Sequence, residues 1–426
     1  MLDIHFIREH SQLVKENLQK KNQIEKIRNV DRFLKLDQEW RALKKEIDLL
    51  RAKRNTISLE ISALLKERKD ASSKIKEVKT LPEKIKHLEE KADTLNTEMD
   101  KLHKTFPNIM HSSVPLGKSE KDNTVIRKFG VIPSFKFQPK AHVELIENLG
   151  IADFEASAKV AGKGFYYLKG ELALLNQALI RFTIDMMNKK GYEYIETPLM
   201  LNEKSIFASM DKTAIEQSVY SIKDEDLNLI GTAEQSLLAM HTDDVFSENQ
   251  LPKKYFSYSM CFRKEIGAHG INEKGLWRTH QFNKIEQFIF CKPEESYKYY
   301  NELLKNTEQI FQKLKLPYRV LEMCSADLAS WKSKSCDIEV YRPTTKEYGE
   351  VASLSNCTDY QARKLSIKIV RKDGSREIVH TLNNTALATS RAMVAILENN
   401  QLKDGSIKVP AVLVPYCGFA KISAKK

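Results

Sequence analysis

The chain reads as an α+β protein: an N-terminal antiparallel helical hairpin followed by a body of strands and helices. Two periodic segments predict the hairpin. Leu36, Trp40, Leu43, Ile47, Leu50, Ile57, Ile61 and Leu64 recur at alternating three- and four-residue steps, with a skip at Arg54. Ile75, Val78, Leu81, Ile85, Leu88, Ala92, Leu95, Met99 and Leu102 repeat the pattern. Such spacing places each set on one helical face. The polar stretch Lys69-Asp-Ala-Ser-Ser73 between them reads as a turn. Segments of equal length joined by a short turn fold back as an antiparallel coiled coil, about 50 Å long at 1.5 Å per residue. Within the body, Met260 to Phe290 reads as strand, glycine-bearing loop and strand.

Pro82 departs from a clean heptad helix. It either kinks the second helix or marks its true first turn, with Thr80 as a cap. Lys44, Lys45, Arg51, Lys53, Arg54, Lys66, Arg68, Lys69, Lys74, Lys76 and Lys79 crowd the faces away from the seam. Any one of them is an ordinary solvated coiled-coil residue. Together they suit a nucleic acid gripped by its phosphates and shape rather than its base edges.

A linker from Phe106-Pro107-Asn108 to Gly117–Asp122 separates arm from body. Leu172 to Lys190 reads as an amphipathic helix leading into Gly191-Tyr-Glu-Tyr-Ile-Glu-Thr-Pro198, a helix exit into a strand closed by proline. In the hairpin, one strand ends in Phe262-Arg263-Lys264-Glu265. The loop carries Gly267, Gly270 and Gly275, and the second strand runs from Trp277 to Phe290. A guanidinium offers forked donors to phosphate oxygens, and a carboxylate accepts from an exocyclic amine. Glu286 alternates with Phe282, Phe288 and Phe290 on one strand face, where an isolated carboxylate is costly. Asn383 to Arg391 then reads as a small-residue strand entering the apolar helix Ala392 to Leu397. Arg391 near the start of that helix suits a terminal phosphate. Only a short strand-like tail, Lys408 to Phe419, follows.

Composition sets bounds on function. At 426 residues the chain is long enough for more than one domain, and 42% hydrophobic with 30% charged residues describes a soluble protein with a heavily charged portion. The formal charge of +12 permits a polyanionic partner. The N-terminus lacks a charged-then-apolar leader, and no apolar run would span a bilayer. Cysteines 261, 291, 324, 336, 357 and 417 are scattered without CxxC pairs and read as reduced core thiols.

The glycine–proline strand, the FRxE hairpin and the strand–helix bearing Arg391 occur in the order of motifs one, two and three of class II aminoacyl-tRNA synthetases. Gly231-Thr-Ala-Glu234, Arg278-Thr-His-Gln-Phe-Asn-Lys-Ile-Glu286, Cys336-Asp-Ile-Glu-Val340 and Ser355-Asn-Cys-Thr-Asp-Tyr-Gln-Ala-Arg363 resemble the seryl-tRNA synthetase family. That resemblance implies an antiparallel β-sheet flanked by helices. It divides the chain into a tRNA-binding domain over 1–108 and a catalytic domain over 109–426. Phe154 to Gly170 resembles the segment that enters the catalytic sheet. The implied reaction is serine–tRNA ligation in a cytoplasmic homodimer, with the basic arm gripping tRNA(Ser) and tRNA(Sec) left open as a second acceptor.

Roles carried over from the motifs are these. Arg263 meets the α-phosphate and the serine carboxylate, Glu265 the adenine amine, and Phe282 the adenine ring. Arg391, with Arg278, holds the γ-phosphate. Lys264, Thr279, Val351 and Ala352 complete the ATP site. Glu350, with Ser353 alongside, holds Mg²⁺, which commonly takes one or two carboxylates plus phosphate oxygens. Thr232 and Glu234 receive the serine ammonium, while Glu286 and Thr385 read its hydroxyl. His269 and His280 read as structural or loop residues. Thr385 stands where serine is usual, and Ser390 replaces a glycine, while Ser353-Leu-Ser-Asn356 and Thr389-Ser-Arg391 resemble the archaeal variety. Ser325-Ala-Asp-Leu-Ala329 lacks glycines often found there. Two other readings compete: a paralogue that activates an amino acid for a different acceptor, such as a carrier protein, and a non-catalytic RNA-binding homologue. The intact arm opposes the first, and joint retention of Arg263, Glu265, Glu286, Glu350 and Arg391 opposes the second.

Overall fold

The computed structural model describes residues 1–266 and 274–424. The expected loop residues Gly267, His269 and Gly270 lie outside the described residues. Chain contacts separate two units, Leu2–Pro107 and Asn108–Lys426, the latter including Met1.

The first unit is dominated by two long helices, α1 (Ile27–Lys66) and α2 (Ser72–His103), of 40 and 32 residues. Their seam is the apolar stripe read from sequence: Ile47, Ile57, Leu81, Ile85 and Ala92 are buried, with Trp40, Leu43, Leu50, Ile61, Val78 and Leu88 packed beside them. The turn falls slightly earlier than expected, at residues 67–71, because the Asp70 carboxylate accepts from the backbone and hydroxyl of Ser72 and starts α2 there. Helix α2 therefore begins well before Pro82 and runs through it, which removes the alternative of Pro82 as its first turn. The Val78 carbonyl gets no main-chain donor from Pro82, while the Thr80 hydroxyl donates to the Glu77 carbonyl at 2.9 Å. Interhelical ion pairs flank the seam, Arg51–Glu89 at 2.6 Å, Lys53–Glu77 at 2.7 Å and Lys74–Glu60 at 2.6 Å.

The second unit is built on an eight-stranded sheet. Its strands are β1 (Thr124–Phe129), β2 (Glu193–Tyr194), β3 (Lys253–Phe262), β4 (Gln281–Cys291), β5 (Tyr318–Glu322), β6 (Lys334–Arg342), β7 (Glu347–Thr358) and β8 (His380–Ala388). They lie in the order β1-β5-β6-β7-β8-β4-β3-β2. Every neighbouring pair is antiparallel except the edge pair β2–β3. One face of the sheet is closed by helices α3 (Gly170–Lys189), α5 (Ser296–Leu314) and α6 (Thr389–Asn399), while α4 (Ala233–Ala239) packs elsewhere against β3 and β4. Side chains alternate along a strand, so Ile285, Ile289, Leu382 and Ala386 enter the helix-covered core with Leu179, Leu303 and Ile396. The opposite face of β4 carries Phe288 and Phe290 into a second apolar cluster with Leu237 and Leu238 of α4.

Several boundaries differ from the sequence reading. The second hairpin strand starts at Gln281, not Trp277, because Trp277 turns away to stack between two arginines. Phe154 to Gly170 does not enter the large sheet: it forms the helix Phe154–Ala161 and a two-residue pairing of Tyr167–Leu168 with Ala152–Asp153. The tail is not one strand, since Ile407–Lys408 pairs back onto Lys421–Ile422 around a short helix, Val414–Cys417. The expected linker is held to the body, with the Asn108 amide donating to the carbonyls of Cys357 and Trp331 at 2.8 and 3.1 Å.

Candidate active site

Beside α4, the sheet face opposite α3, α5 and α6 opens into a cavity of about 640 Å³, a size typical of ligand sites. Thr232, Glu234, Arg263, Glu265, Arg278, Thr279, Phe282, Glu286, Glu350, Val351, Ala352, Ser353, Thr385 and Arg391 all line it. Lys264 is the exception: it is absent from the lining, and its ammonium sits 5.9 Å over the ring of Tyr220.

Strand periodicity explains one end of the cavity. Phe282, Lys284 and Glu286 share a face of β4, and Thr385 of β8 lies directly opposite Glu286. The Thr385 hydroxyl donates to the Glu286 carboxylate at 3.3 Å, and the Lys284 ammonium lies 2.8 Å from the same oxygen. Glu286 is 1% exposed, so a carboxylate there depends on these partners in place of water. Thr232 caps α4, its hydroxyl accepting the Glu234 N–H at 3.2 Å. The Glu234 carboxylate accepts from Gln361 at 2.8 Å and Asn383 at 3.0 Å. Burial first, then the charge of Glu286, pushes the Glu234 carboxyl above the usual range.

At the other end, a register shift in β7 decides which side chains meet. Ile338 faces Ala352 while Glu339 faces Glu350, so Val351 is an extra bulged residue. The bulge reverses the alternation and turns Glu350 and Ser353 onto the same face, three residues apart. Glu350 lies 3.0 Å from the Arg391 guanidinium, which also donates to the Glu350 carbonyl at 2.8 Å. Burial would raise the Glu350 carboxyl, but Arg391, aided by Arg263, outweighs it and holds it low. The side chain is still 44% exposed toward the cavity, so that burial effect is limited. Arg391 is the third residue of α6, near the positive end of the helix.

Arg263 crosses between the two ends. Its guanidinium donates to the Gly231 carbonyl at 3.1 Å and lies 5.3 Å over the Phe282 ring. Glu265 accepts from Arg278 at 2.7 Å. His280 faces away from chemistry, with Nδ1 at 2.9 Å from the Arg263 carbonyl and 3.2 Å from the Tyr220 hydroxyl.

Four contributors were missed in the sequence. Lys284 and Asn383 stand two residues before Glu286 and Thr385, so the same period-two rule assigns them to the cavity. Asp337 lies opposite Ser353 across β6 and β7, and burial together with Glu350 pushes it up to about 8. Lys332 lines the cavity from a loop that carries no periodic signal.

Among the described residues, no group of three or more histidines, cysteines or acids could hold a metal by itself. Nor is any helix among them long and apolar enough to cross a membrane. Glu350, Ser353 and Asp337 nonetheless suit a divalent cation shared with phosphate oxygens. They are oxygen donors on one face, and burial with the charge of Glu350 holds the Asp337 carboxyl high.

Comparison with known proteins places the fold and the family. A family model for the tRNA synthetase class II core domain (G, H, P, S and T) matches residues 218–400, and one for the seryl-tRNA synthetase N-terminal domain matches residues 1–110. The chain is 45% identical to the serine–tRNA ligase of Methanocella arvoryzae over 418 residues, covering 98% of each. The crystal structure of seryl-tRNA synthetase from Pyrococcus horikoshii complexed with ATP superposes with a TM-score of 0.95 at 41% identity, covering 100% of both chains. The cytoplasmic serine–tRNA ligase of Naegleria fowleri in complex with AMP gives 0.90 at 31% identity, covering 100% of this chain and 99% of that one. With near-complete coverage at such identity, this chain belongs to the serine–tRNA ligase family.

Proposed function

We propose that the cavity joins L-serine to ATP as seryl-adenylate, and that the chain then passes serine to the 3′ end of tRNA(Ser). One observation carries this most directly: the buried Thr385–Glu286 pair, the Glu234 carboxylate and the arginines 263 and 391 line a single cavity. A carboxylate oxygen of serine attacks the α-phosphorus, the bond to the bridging oxygen breaks, and pyrophosphate leaves. Protein residues align charges and supply no nucleophile. Arg263 faces both the serine carboxylate and the α-phosphate, Glu234 beside Thr232 takes the ammonium, and Thr385 with Glu286 takes the hydroxyl. Phe282 stacks on adenine and Glu265 accepts from its amine, with Thr279, Val351 and Ala352 completing the wall. Arg391 and Arg278 hold the γ-phosphate. Glu350 and Ser353, with Asp337 behind them, would hold Mg²⁺, which neutralises phosphate charge when bound.

In the second step a 2′- or 3′-hydroxyl of tRNA attacks the carbonyl carbon and AMP leaves, the hydroxyl proton passing to the adenylate phosphate. Residues 1–108 are proposed as the tRNA-binding domain. Lys45, Arg54, Lys66, Arg68, Lys76 and Lys79 on its arm have no ion pair among the described residues, so their charge is available to phosphates. A cytoplasmic homodimer is part of the same proposal. Six free cysteines fit a reducing compartment. Ile126 and Phe129 on the edge strand β1, with Val131 90% exposed beside it, offer apolar surface for a second copy.

The test is serine-dependent ATP–pyrophosphate exchange, with alanine, threonine, cysteine and glycine as controls. Exchange with serine alone supports the assignment. No exchange with any amino acid returns the non-catalytic RNA-binding reading.

A further inference from the structure

We propose that His142 is a positioning residue for the ATP wall of the cavity, acting through Leu276 and Trp277 on Arg391. This rests on the ATP site described above and names a part of it that no motif contains. His142 opens the helix His142–Leu149 and is 6% exposed. Its two ring nitrogens have separate partners. Nδ1 lies 3.1 Å from the carboxylate of Glu398, a fully buried residue of α6, and Nε2 accepts the Leu276 N–H at 3.2 Å. With Nε2 placed to accept from Leu276, Nδ1 is the nitrogen placed to donate to Glu398.

The chain is brought to that ring deliberately. Gly275 has φ 146, and a Cβ there would stand 2.5 Å from His142 Nε2, so only glycine permits the approach. Lys274 pairs with Glu147 of the same helix at 2.5 Å. Trp277 follows, lying under the Arg342 guanidinium at 4.4 Å on one side and near Arg391 at 5.5 Å. Its carbonyl accepts from Arg391 Nε at 3.3 Å. Arg342 returns to Glu398 at 3.0 Å, where Thr344 also donates at 2.9 Å. Burial opposes charge on Glu398, yet the hydrogen bonds from His142 and Arg342 hold its carboxyl down at about 2. Glu398 thus anchors two branches, one through His142 to Leu276 and one through Arg342 to Trp277. They converge on the segment that presents Arg278 and braces Arg391.

Trp277, Arg278 and Arg391 line the cavity, whereas His142, Arg342 and Glu398 do not. The serine end, Glu234, Glu286 and Thr385, has no bond to this network among those described above. Loss of His142 therefore acts on ATP and spares serine.

Three variants separate positioning from bulk stability. His142→Ala removes both contacts. His142→Asn keeps a donor near Nδ1 but cannot reach Leu276, and His142→Gln places an acceptor near Nε2. ATP affinity is measured by calorimetry, and KM values for ATP and serine by pyrophosphate exchange. Alanine and asparagine should weaken ATP about tenfold, the range seen when support behind a site residue is lost, with serine KM within about twofold. Glutamine should recover most of that loss. Unchanged ATP binding in the alanine variant, or parallel loss of ATP, serine and thermal stability in all three, overturns the proposal. A wild type that binds ATP without serine-dependent exchange sinks the serine assignment but leaves the variant comparison valid. A wild type that does not bind ATP sinks both.

Discussion

Thr385 and Glu286 face each other on adjacent strands, and the hydroxyl donates into a carboxylate that is almost wholly buried. A site built this way rejects a substrate lacking the hydroxyl by about 10⁴-fold or more, because the polar pair is left unmatched. Thr385→Val keeps the shape and removes the donor. We expect serine kcat/KM to fall about 10- to 100-fold, as one hydrogen bond at a buried charge is worth roughly 1.5–3 kcal/mol. Alanine activation should stay near its baseline. Exchange rates unchanged with serine would refute the role of Thr385.

Lys284 is the counter-ion of Glu286, both side chains being less than a tenth exposed. Lys284→Met strands a buried carboxylate and should destabilise the fold by roughly 3–5 kcal/mol. Replacing both, as Lys284→Met with Glu286→Leu, should recover most of that stability and none of the serine activation. Denaturant titration of the three proteins decides the matter. Equal midpoints for wild type and Lys284→Met would show that the pair is not a unit.

Glu234 predicts opposite pH trends for stability and binding. Its carboxyl is raised in the folded chain by burial and by Glu286, so the native state holds a proton that the unfolded state releases. Its contribution to stability is present below the ordinary glutamate value and is lost as pH rises through the raised one. Serine ammonium needs the ionised form, so the KM for serine should fall over that same rise. Glu234→Gln should flatten both curves and weaken serine at every pH. A KM for serine that does not change with pH above the ordinary glutamate range in the wild type would remove Glu234 from the ammonium site.

Arg391 and the arm should separate the two half-reactions. Arg391→Ala should abolish pyrophosphate exchange and leave tRNA binding, read by gel shift, within about twofold. Deleting residues 38–104 should preserve exchange while aminoacylation collapses. Normal charging by the deleted chain would contradict a tRNA-binding role for the arm.

Where local pattern decides geometry, the sequence was readable. The seam residues Ile47, Ile57, Leu81 and Ile85 follow from helical spacing, and Glu286 beside Phe288 follows from strand alternation. Lys284 and Asn383 were within reach of the same rule. What pattern could not reveal are effects of register and tertiary packing. Nothing local marks Val351 as a bulge, yet the bulge turns Glu350 and Ser353 the same way. Trp277 sits in a β-favouring run but leaves the strand for Arg342 and Arg391, partners distant in sequence. Phe154 to Gly170 resembled a sheet segment by motif and instead forms a short helix and pairs Tyr167–Leu168 with the preceding Ala152–Asp153. Pro82 left a kink or a helix start open, and Asp70 with the packing of Val78 and Leu81 begins the helix earlier.

Arg278 holds Glu265 at 2.7 Å, and Arg391 holds Glu350 at 3.0 Å. On the proposed assignment, adenine and phosphates would therefore not enter vacant seats. Each arrives by trading places with a protein group, and the observed affinity is the small difference between contacts made and contacts surrendered. Ligand fragments too short to compensate both arginines at once should gain little from either, which makes the whole nucleotide the unit the site reads.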